Sequence, residues 1–285
     1  MIIINIIILY FNILSRHFVT LQTVKSLVTS FSVSHLYRYK WRNELNKLAF
    51  STLALSTIIC SSVSAHVSVA DGPVTANSSQ LITLNVPHGC EGFDTSNVVV
   101  SLPESFHVTR PVDNVFGKAT IQKSALSEPF ELYGTTYTED VSSLTWNKVE
   151  EDILESDTHL YQFSFRSRIP DTPFKKYYLP VVQTCTTAED GTFSNEWTFK
   201  GKTEHGSTDK PAPSILVLPN YSAGWNQYTL TEAVDDLSVF DNAYIVWAGE
   251  SAYSSNPVTL EQIEETENVS VLDSIPANTT IWIKY

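Results

Sequence analysis

Short segments in which apolar and polar residues alternate follow one another from residue 66 to residue 218. In one of them Tyr161, Phe163 and Phe165 alternate with polar residues, so we expect these three aromatic side chains to face the core of a β-sheet. Pro, Gly, Asn and Asp separate the segments, and no long amphipathic helix interrupts them. The clearest strands are QLITLNVP, NVVVSLP, SSLTWNKV, LYQFSFRSRIP, YYLPVVQTC and NEWTFKGK. The pattern predicts an antiparallel β-sandwich over residues 66–219, because two sheets packed face to face bury such strands simply.

The pattern changes in the stretch KPAPSILVLPNYSAGWN, where three prolines surround one apolar strand. We place a domain boundary near Pro219. Beyond it the pattern predicts a short helix in YTLTEAVDDLSVF, a strand in NAYIVWAG, a second helix in VTLEQIEETEN and a terminal strand in TTIWIKY. The fold class is therefore mainly β: an immunoglobulin-like antiparallel β-sandwich followed by a small C-terminal α+β module of unknown role, residues 220–285.

The N-terminal part of the chain resembles an export signal. Residues 45–65 combine a basic flank at Lys47, an apolar middle and the small residues Val63-Ser64-Ala65, which predicts a signal peptide cleaved after Ala65. The alternative is a membrane anchor, but residues 48–60 are too short, since a span needs about 20 apolar residues. We interpret residues 1–44 as a doubtful extension from a misplaced start. The mature protein is then expected to cross the inner membrane, to lie in the periplasm and to keep no stable membrane span.

Charge narrows the possible partners. The full chain has a formal net charge of −13, and removal of residues 1–65 would leave 12 basic and 30 acidic residues, a net charge of −18. Such a surface disfavours binding to nucleic acid and to anionic membranes, and it mildly favours cations. Solubility alone is the simpler explanation of the same charge.

Two cysteines would remain after signal cleavage, Cys90 and Cys185. Because disulfides persist in oxidising compartments, an even pair in an exported chain predicts a Cys90–Cys185 disulfide. The alternative is a pair of thiolate metal ligands, but the CxxC spacing of zinc or copper(I) sites is missing.

Cleavage after Ala65 would also free the α-amine of His66. This amine has an ordinary pKa of about 7.7–8.0, so it loses its proton easily when a metal binds near neutral pH. The amine and the imidazole Nδ1 of one residue can then chelate a single ion, and such nitrogen donors suit copper(II). The alternative is that His66 is a bystander.

Several segments resemble the YcnI-like copper-binding proteins, which are periplasmic or cell-surface β-sandwiches. The resemblance runs from AHVSV through LNVPHGCEG, VVVSLPESF, LPVVQTC and NEWTF to KPAPSILVLP and covers residues 66 to about 219. In that family a mature N-terminal histidine binds copper(II) in a monohistidine brace, helped by a tryptophan and a carboxylate. The resemblance implies that His66 is the N-terminal ligand and that Trp197, in NEWTF, is the tryptophan.

The same resemblance implies a carboxylate, for which Glu91 in VPHGCEG is our choice. The predicted disulfide would tie Glu91 to the strand that leads toward Trp197. Glu196 is the alternative, but alternation along a strand would direct it to the face opposite Trp197. An indole N–H is a donor and a poor copper(II) ligand, so we expect Trp197 to be a wall beside the metal.

The remaining histidines of the mature chain are given no metal role: His88, His107, His159 and His205. Motifs of common enzyme classes, such as GxSxG, HExxH, GxGxxG and the P-loop, are missing from the sequence, so we expect a binding protein and not an enzyme. The first hypothesis is an exported protein for copper storage, delivery or tolerance that exchanges copper(II) with another copper-transport protein.

Two further hypotheses belong to other classes. One is a copper monooxygenase with an N-terminal histidine, which needs a second histidine from the chain. The other is a structural or adhesive β-protein that acts through its C-terminal module. In that module six aromatic residues form either a ligand platform or a small core: Trp225, Tyr228, Tyr244, Trp247, Tyr253 and Trp282.

Overall fold

The structure is a computed structural model that describes residues 66–187, 191–201 and 207–285. The predicted signal peptide, the N-terminal extension and His205 lie outside these residues. The strands of the first half are β1 (Ser68–Val69), β2 (Val74–Thr75), β3 (Ser79–Val86), β4 (Thr95–Ser101), β5 (His107–Pro111), β6 (Thr120–Leu132), β7 (Thr135–Asn147) and β8 (Tyr161–Arg168). The next strands are β9 (Lys176–Tyr178), β10 (Val181–Thr187), β11 (Gly191–Trp197) and β12 (Ser214–Leu218).

Two sheets form a sandwich. One has the strand order β1-β3-β8-β5 and the other has the order β11-β10-β4-β7-β6, and neighbouring strands in both are antiparallel. A smaller sheet, β2-β12-β9, joins strands from the two ends of this region. The prediction of a mainly β, antiparallel sandwich is confirmed.

The core lies between the two sheets. Tyr161, Phe163 and Phe165 of β8 are buried, as their alternation predicts. The ring of Trp146 in β7 lies 5.3 Å from that of Phe163, centroid to centroid, and so connects one sheet to the other. The sandwich core is therefore built from the alternating residues that the sequence identifies.

Pro180 divides one predicted strand into two. YYLPVVQTC was expected to be a single strand, but β9 ends at Tyr178 and β10 begins at Val181. Proline has no N–H to donate to a sheet, so the chain leaves one sheet at Pro180 and enters another.

The hairpin β6–β7 is longer than the predicted segment SSLTWNKV. Its two strands have 13 residues each and meet at Tyr133 and Gly134, whose φ values of 48° and 78° fit a two-residue turn. Most of β6 is exposed, so its side chains show little of the apolar alternation from which strands are recognised.

The C-terminal residues form a fourth sheet. Its strands are β13 (Trp225–Thr229), β14 (Ile245–Ala248), β15 (Ser251–Tyr253), β16 (Ser270–Val271) and β17 (Thr280–Lys284), in the order β13-β17-β14-β15-β16. The predicted strands NAYIVWAG and TTIWIKY are found as β14 and β17. Helix α1 (Pro257–Glu265) matches the segment VTLEQIEETEN, and the Asn256 side chain accepts hydrogen bonds from its first turn.

The helix predicted in YTLTEAVDDLSVF is wrong. Tyr228 and Thr229 belong to β13, where they pair with β17, and only Leu237–Phe240 form a single 3₁₀ turn. Asp236 caps this turn by accepting a hydrogen bond from the Ser238 N–H at 3.0 Å. The ladder to β17 is the tertiary contact that overrides the helical pattern.

A second hydrophobic cluster lies beneath the C-terminal sheet. It includes Ile281 and Ile283 of β17 and Val246 of β14, and Phe174 and Leu218 from the preceding region also belong to it. The boundary near Pro219 stays a prediction. In the part of the chain that the structure describes, no helix has the length and apolar character needed to cross a membrane.

Candidate metal centre

His66 and Trp197 lie side by side, although 130 residues separate them in the sequence. Their ring centroids are 5.6 Å apart with an interplanar angle of 81°, an edge-to-face arrangement. The His66 side chain is exposed, whereas Val67 is only 3% exposed and fixes the backbone directly after it. The structure therefore brings together two of the three predicted site residues.

Trp197 is the last residue of β11 and pairs with Val181 of β10. Its ring is buried, and Nε1 donates a hydrogen bond of 3.1 Å to Oε1 of Gln183. The indole nitrogen is thus hydrogen-bonded within the protein, and the ring meets His66 edge-to-face. This arrangement agrees with a wall beside His66 and leaves no nitrogen lone pair for a metal.

Gln183 is the residue of this site that the sequence analysis missed. Its side chain is 1% exposed, and its Nε2 donates hydrogen bonds to the backbone oxygen of His88 at 2.8 Å and to Oγ1 of Thr95 at 2.9 Å. A single amide therefore connects Trp197 to the VPHGC segment. The sequence did contain a clue to Gln183. An uncharged polar residue at an inward-facing position of LPVVQTC needs hydrogen-bond partners inside the protein.

Glu91 lies in a tight turn. The backbones of Cys90 and Phe93 exchange two hydrogen bonds around Glu91 and Gly92, whose φ values are 52° and 90°. The Glu91 side chain is exposed. Its role as a copper ligand stays a prediction.

The strand register shows where the disulfide next to Glu91 lies along β10 relative to Trp197. Cys90 is joined to Cys185, whereas Trp197 pairs with Val181 on the same strand. Four residues of strand correspond to about 13 Å. The disulfide therefore connects Glu91 to β10, but four residues along the strand from Val181, the partner of Trp197.

Glu196 is directed away from Trp197. It lies within β11, where Trp197 is buried and Glu196 is exposed, as alternation along a strand requires. Its side chain instead lines a shallow depression with Phe199 and Lys200.

Cys90 and Cys185 form a disulfide, with a Cα–Cα distance of 5.8 Å. The predicted pairing is confirmed. Because the two sulfur atoms are bonded to each other, the alternative of two thiolate metal ligands is not what the structure contains.

The other described histidines contact neighbouring polar groups. Nδ1 of His88 is 2.6 Å from the backbone oxygen of Gly89, and Nδ1 of His107 is 3.3 Å from a carboxylate oxygen of Asp140. Nδ1 of His159 is 2.8 Å from Oγ1 of Thr158.

The atoms available near His66 limit the kinds of metal site that are possible there. Among residues 66–187, 191–201 and 207–285, no cluster of three or more His, Cys, Asp or Glu side chains is arranged to hold an ion. A metal at His66 would depend first on two nitrogens of that one residue, its α-amine and its imidazole. The exposed ring beside a buried indole fits an open chelate of this kind.

A positive charge also lies near Trp197. Nζ of Lys210 is 5.7 Å from the centroid of a Trp197 ring and donates a hydrogen bond to Oδ1 of Asn195. A cation over an indole is attracted by the negative face of the ring. Lys210 and His66 therefore both contact the aromatic system of Trp197.

Comparison with known proteins identifies a family and a similar structure. Residues 66–217 match the family model described as a domain of unknown function, DUF1775. A crystal structure of an uncharacterized protein from Nocardia farcinica, described as revealing an immunoglobulin-like fold, aligns over 54% of this chain and 98% of its own, with 18% identity and a TM-score of 0.42. No curated protein matches the chain. Because the family model spans more than half of its residues, the chain belongs to the DUF1775 family.

Proposed function

We propose that this protein is an exported copper(II)-binding protein whose metal is chelated by the α-amine and the imidazole Nδ1 of His66. The observation that carries the proposal is the edge-to-face contact between the exposed His66 ring and the buried Trp197 ring, at 5.6 Å. It brings together the two residues that the resemblance to YcnI-like proteins marks as the copper site.

The position of His66 supports an N-terminal chelate. The DUF1775 match begins at residue 66, which is also the first residue after the predicted signal cleavage site. The buried Val67 follows it, and β1 then pairs with β3 through Ser68 and Asn85. A histidine held two residues ahead of strand β1 has its amine and imidazole within reach of one ion while its ring stays exposed.

The chemistry of the donors favours copper(II). Two nitrogens from one residue suit a tetragonal site, and copper(II) binds most tightly among the divalent first-row metals. The α-amine must lose its proton to bind, which is easy near neutral pH because its ordinary pKa is about 7.7–8.0. The negative net charge of the chain, −13, adds a general attraction for cations.

Trp197 would shape the site without binding the metal. Its N–H is donated to Gln183, so the ring limits the approach of water and other ligands from one side. Water or a carboxylate would complete the coordination, and Glu91 is the carboxylate that the family resemblance implies.

The proposed role is copper storage, delivery or tolerance in the periplasm. Copper(II) is then cargo, and the protein is a binding protein and not an enzyme. An open site with few protein ligands suits transfer, because a partner can reach the ion directly. The partner would be another copper-transport protein.

Copper(II) titration of the protein that begins at His66, followed by electron paramagnetic resonance, tests the proposal. The matched control carries one additional alanine before His66, which moves the α-amine away and leaves the imidazole intact. We expect one tightly bound copper(II) with nitrogen couplings in the first protein, and loss of this signal in the second. Equal affinity and equal spectra for the two proteins would overturn the N-terminal chelate.

A second control identifies the histidine. A His88→Ala variant of the protein that begins at His66 should bind copper(II) as the parent does, because His88 has Gly89 and Asp157 as neighbours. Thermal unfolding of every variant checks that the sandwich is intact. Loss of copper in His88→Ala with an unchanged melting temperature would move the site away from His66.

A further inference from the structure

The outer face of the C-terminal sheet presents three tryptophans. Trp225 lies on β13, Trp247 on β14 and Trp282 on β17, and these three strands are neighbours in the sheet. We call this surface the tryptophan face and include in it Gln227 and Lys284, which lie on the same strands and the same side. It belongs to none of the residues discussed for copper.

Strand register sets the spacing of the three rings. Trp247 and Trp282 are direct cross-strand partners, and Gln227 is the partner of Trp282 on its other side. Direct partners have Cβ atoms about 4.5–5.5 Å apart, and diagonal neighbours such as Trp225 and Trp282 are about 7–8 Å apart. The three tryptophans therefore occupy neighbouring positions on the same side of three adjacent strands.

Two of the three rings are exposed, and Trp247 is half-buried. Trp225 is 53% exposed and Trp282 is 46% exposed, whereas Ile281 and Ile283, the neighbours of Trp282 on β17, are fully buried. The larger hydrophobic cluster of the module thus lies on the opposite side of the sheet, although Ala252, the cross-strand partner of Trp247, is also buried. Large aromatic side chains that alternate outward on a sheet face expose apolar area that usually marks a binding site.

Charge selects the kind of ligand. Lys284 is the single Lys or Arg among residues 220–285, which contain ten Asp and Glu residues. Its Nζ lies 5.8 Å from the Trp225 ring and 5.3 Å from the Tyr244 ring, so it is held on the tryptophan face. The outward-facing residues of β13 and β17 include no carboxylate: Trp225, Gln227, Thr229, Thr280, Trp282 and Lys284.

We propose that the tryptophan face binds an anionic polysaccharide, such as a polymer of uronic acids. The apolar C–H faces of sugar rings would stack on the indoles, while the Gln227 amide hydrogen-bonds sugar hydroxyls. The Lys284 ammonium would pair with a sugar carboxylate. Together these groups match the flat rings, the many hydroxyls and the negative charge of such a polymer.

The overall negative charge of the protein does not prevent this contact. At physiological ionic strength the Debye length is about 8 Å, so carboxylates on distant surfaces are largely screened from a polymer on the tryptophan face. The local positive charge of Lys284 then determines the preference between charged and neutral sugars.

Isothermal titration calorimetry with polygalacturonate tests the proposal, using protein expressed from the full chain and kept in EDTA to exclude metal effects. Fully methyl-esterified polygalacturonate has the same backbone without the charge and serves as the matched polymer. We expect Trp282→Ala to weaken polygalacturonate binding by about tenfold, because a stacked aromatic ring is lost. Lys284→Gln should weaken it about threefold and leave binding of the esterified polymer unchanged.

Tyr133→Ala is the control variant. Tyr133 is 93% exposed at the tip of the β6–β7 hairpin, outside the tryptophan face, and its removal should not alter binding. Unchanged circular dichroism and melting temperature establish that Trp282→Ala and Lys284→Gln remain folded. No binding of polygalacturonate by the parent protein would overturn the proposal, and so would equal binding by Trp282→Ala.

Sedimentation velocity separates this ligand from a second copy of the chain. The parent protein is expected to sediment identically to Trp282→Ala in the absence of polymer. Self-association that Trp282→Ala abolishes, without binding of polygalacturonate, would assign the face to a protein contact instead and overturn the proposal.

Discussion

The indole N–H of Trp197 donates to the side-chain oxygen of Gln183 at 3.1 Å, and this contact holds the ring that His66 meets. With the nitrogen held inside the protein, the His66 and Trp197 rings pack edge-to-face with their centroids 5.6 Å apart. Gln183 also binds the His88 backbone oxygen, so it fixes the wall of the proposed site against a second segment of the chain. A buried amide outside the proposed ligand set can therefore position the proposed copper site.

Gln183→Leu should destabilise the fold and weaken copper(II) binding. The leucine leaves the Trp197 N–H, the His88 oxygen and Thr95 Oγ1 without their partner, and each buried polar group left unpaired costs about 1–3 kcal/mol. Urea unfolding should show a loss of about 3 kcal/mol or more. Under native conditions the copper affinity should fall about tenfold, as is typical when a residue that orients a metal site is replaced.

Gln122→Leu is the matched control for this prediction. Gln122 lies on the exposed strand β6, and its replacement should change the free energy of unfolding by less than about 0.5 kcal/mol. A Gln183→Leu variant as stable as Gln122→Leu, with unchanged copper affinity, would contradict the positioning role of Gln183.

Glu91→Gln tests the predicted carboxylate ligand. The substitution keeps the size of the side chain and the backbone turn between Cys90 and Phe93, and it removes only the charge. If Glu91 binds copper(II), affinity should fall at least about tenfold, and the hyperfine pattern of the resonance spectrum should change. Glu196→Gln, on the opposite side of β11, should bind copper(II) as the parent does. If Glu91→Gln and Glu196→Gln both bind copper(II) as the parent does, Glu91 is not a ligand and water completes the coordination.

The sandwich could be predicted from the sequence because its strands alternate clearly. Tyr161, Phe163 and Phe165 are buried as alternation requires, and the Cys90–Cys185 disulfide was predicted from the two cysteines that remain after the expected signal cleavage. The helix in YTLTEAVDDLSVF was wrong because pairing of β13 with β17 is a contact between segments about 50 residues apart. No local pattern reports such a contact.

The candidate site could be predicted only in part, for a similar reason. His66 and Trp197 were identified by the position of one and the family resemblance of the other. Gln183 was missed because its importance comes from three partners on other segments, which alternation along its own strand does not reveal. The tryptophan face needed the register of β13, β14 and β17, which decides which side of the sheet each aromatic residue occupies.

Lys148→Met should destabilise the protein strongly. The Lys148 ammonium is buried and donates to Asp94 Oδ2 at 2.5 Å and to the Tyr161 hydroxyl at 2.7 Å. Removing it leaves the fully buried Asp94 carboxylate without its cation, which costs about 3–5 kcal/mol. Urea unfolding at neutral pH measures the loss.

Lys123→Met is the control for Lys148→Met. Lys123 pairs with Glu139 at 3.0 Å, but both side chains are more than half exposed, so its removal should cost less than about 1 kcal/mol. Equal losses for the two variants would contradict the view that burial makes the Asp94–Lys148 pair important.

Replacing both cysteines with serine should lower the stability of the sandwich. The Cys90–Cys185 bond spans 95 residues of sequence, and closing a loop of this length restricts the unfolded chain by about 4–5 kcal/mol. Thermal unfolding of Cys90→Ser/Cys185→Ser should therefore show a lower melting temperature than the parent. A reducing agent should lower the melting temperature of the parent and leave that of the variant unchanged. A reductant effect of equal size on both proteins would show that it does not act through this disulfide.

The alkaline limit of stability should depend on Tyr253. Burial raises the pKa of the Tyr253 phenol to about 12, helped by the hydrogen bond from its hydroxyl to Asp241 at 2.7 Å and by the charges of Asp241 and Asp236. A phenol in the unfolded chain has a pKa of about 10, so the unfolded state loses its proton first as the pH rises. The stabilising contribution is thus complete below about pH 10 and is lost as the pH approaches about 12. The free energy of unfolding, measured in urea at several pH values across this window, should fall less steeply in Tyr253→Phe than in the parent, because phenylalanine has no proton to lose. Parallel curves for the two proteins would show that other groups control the alkaline transition.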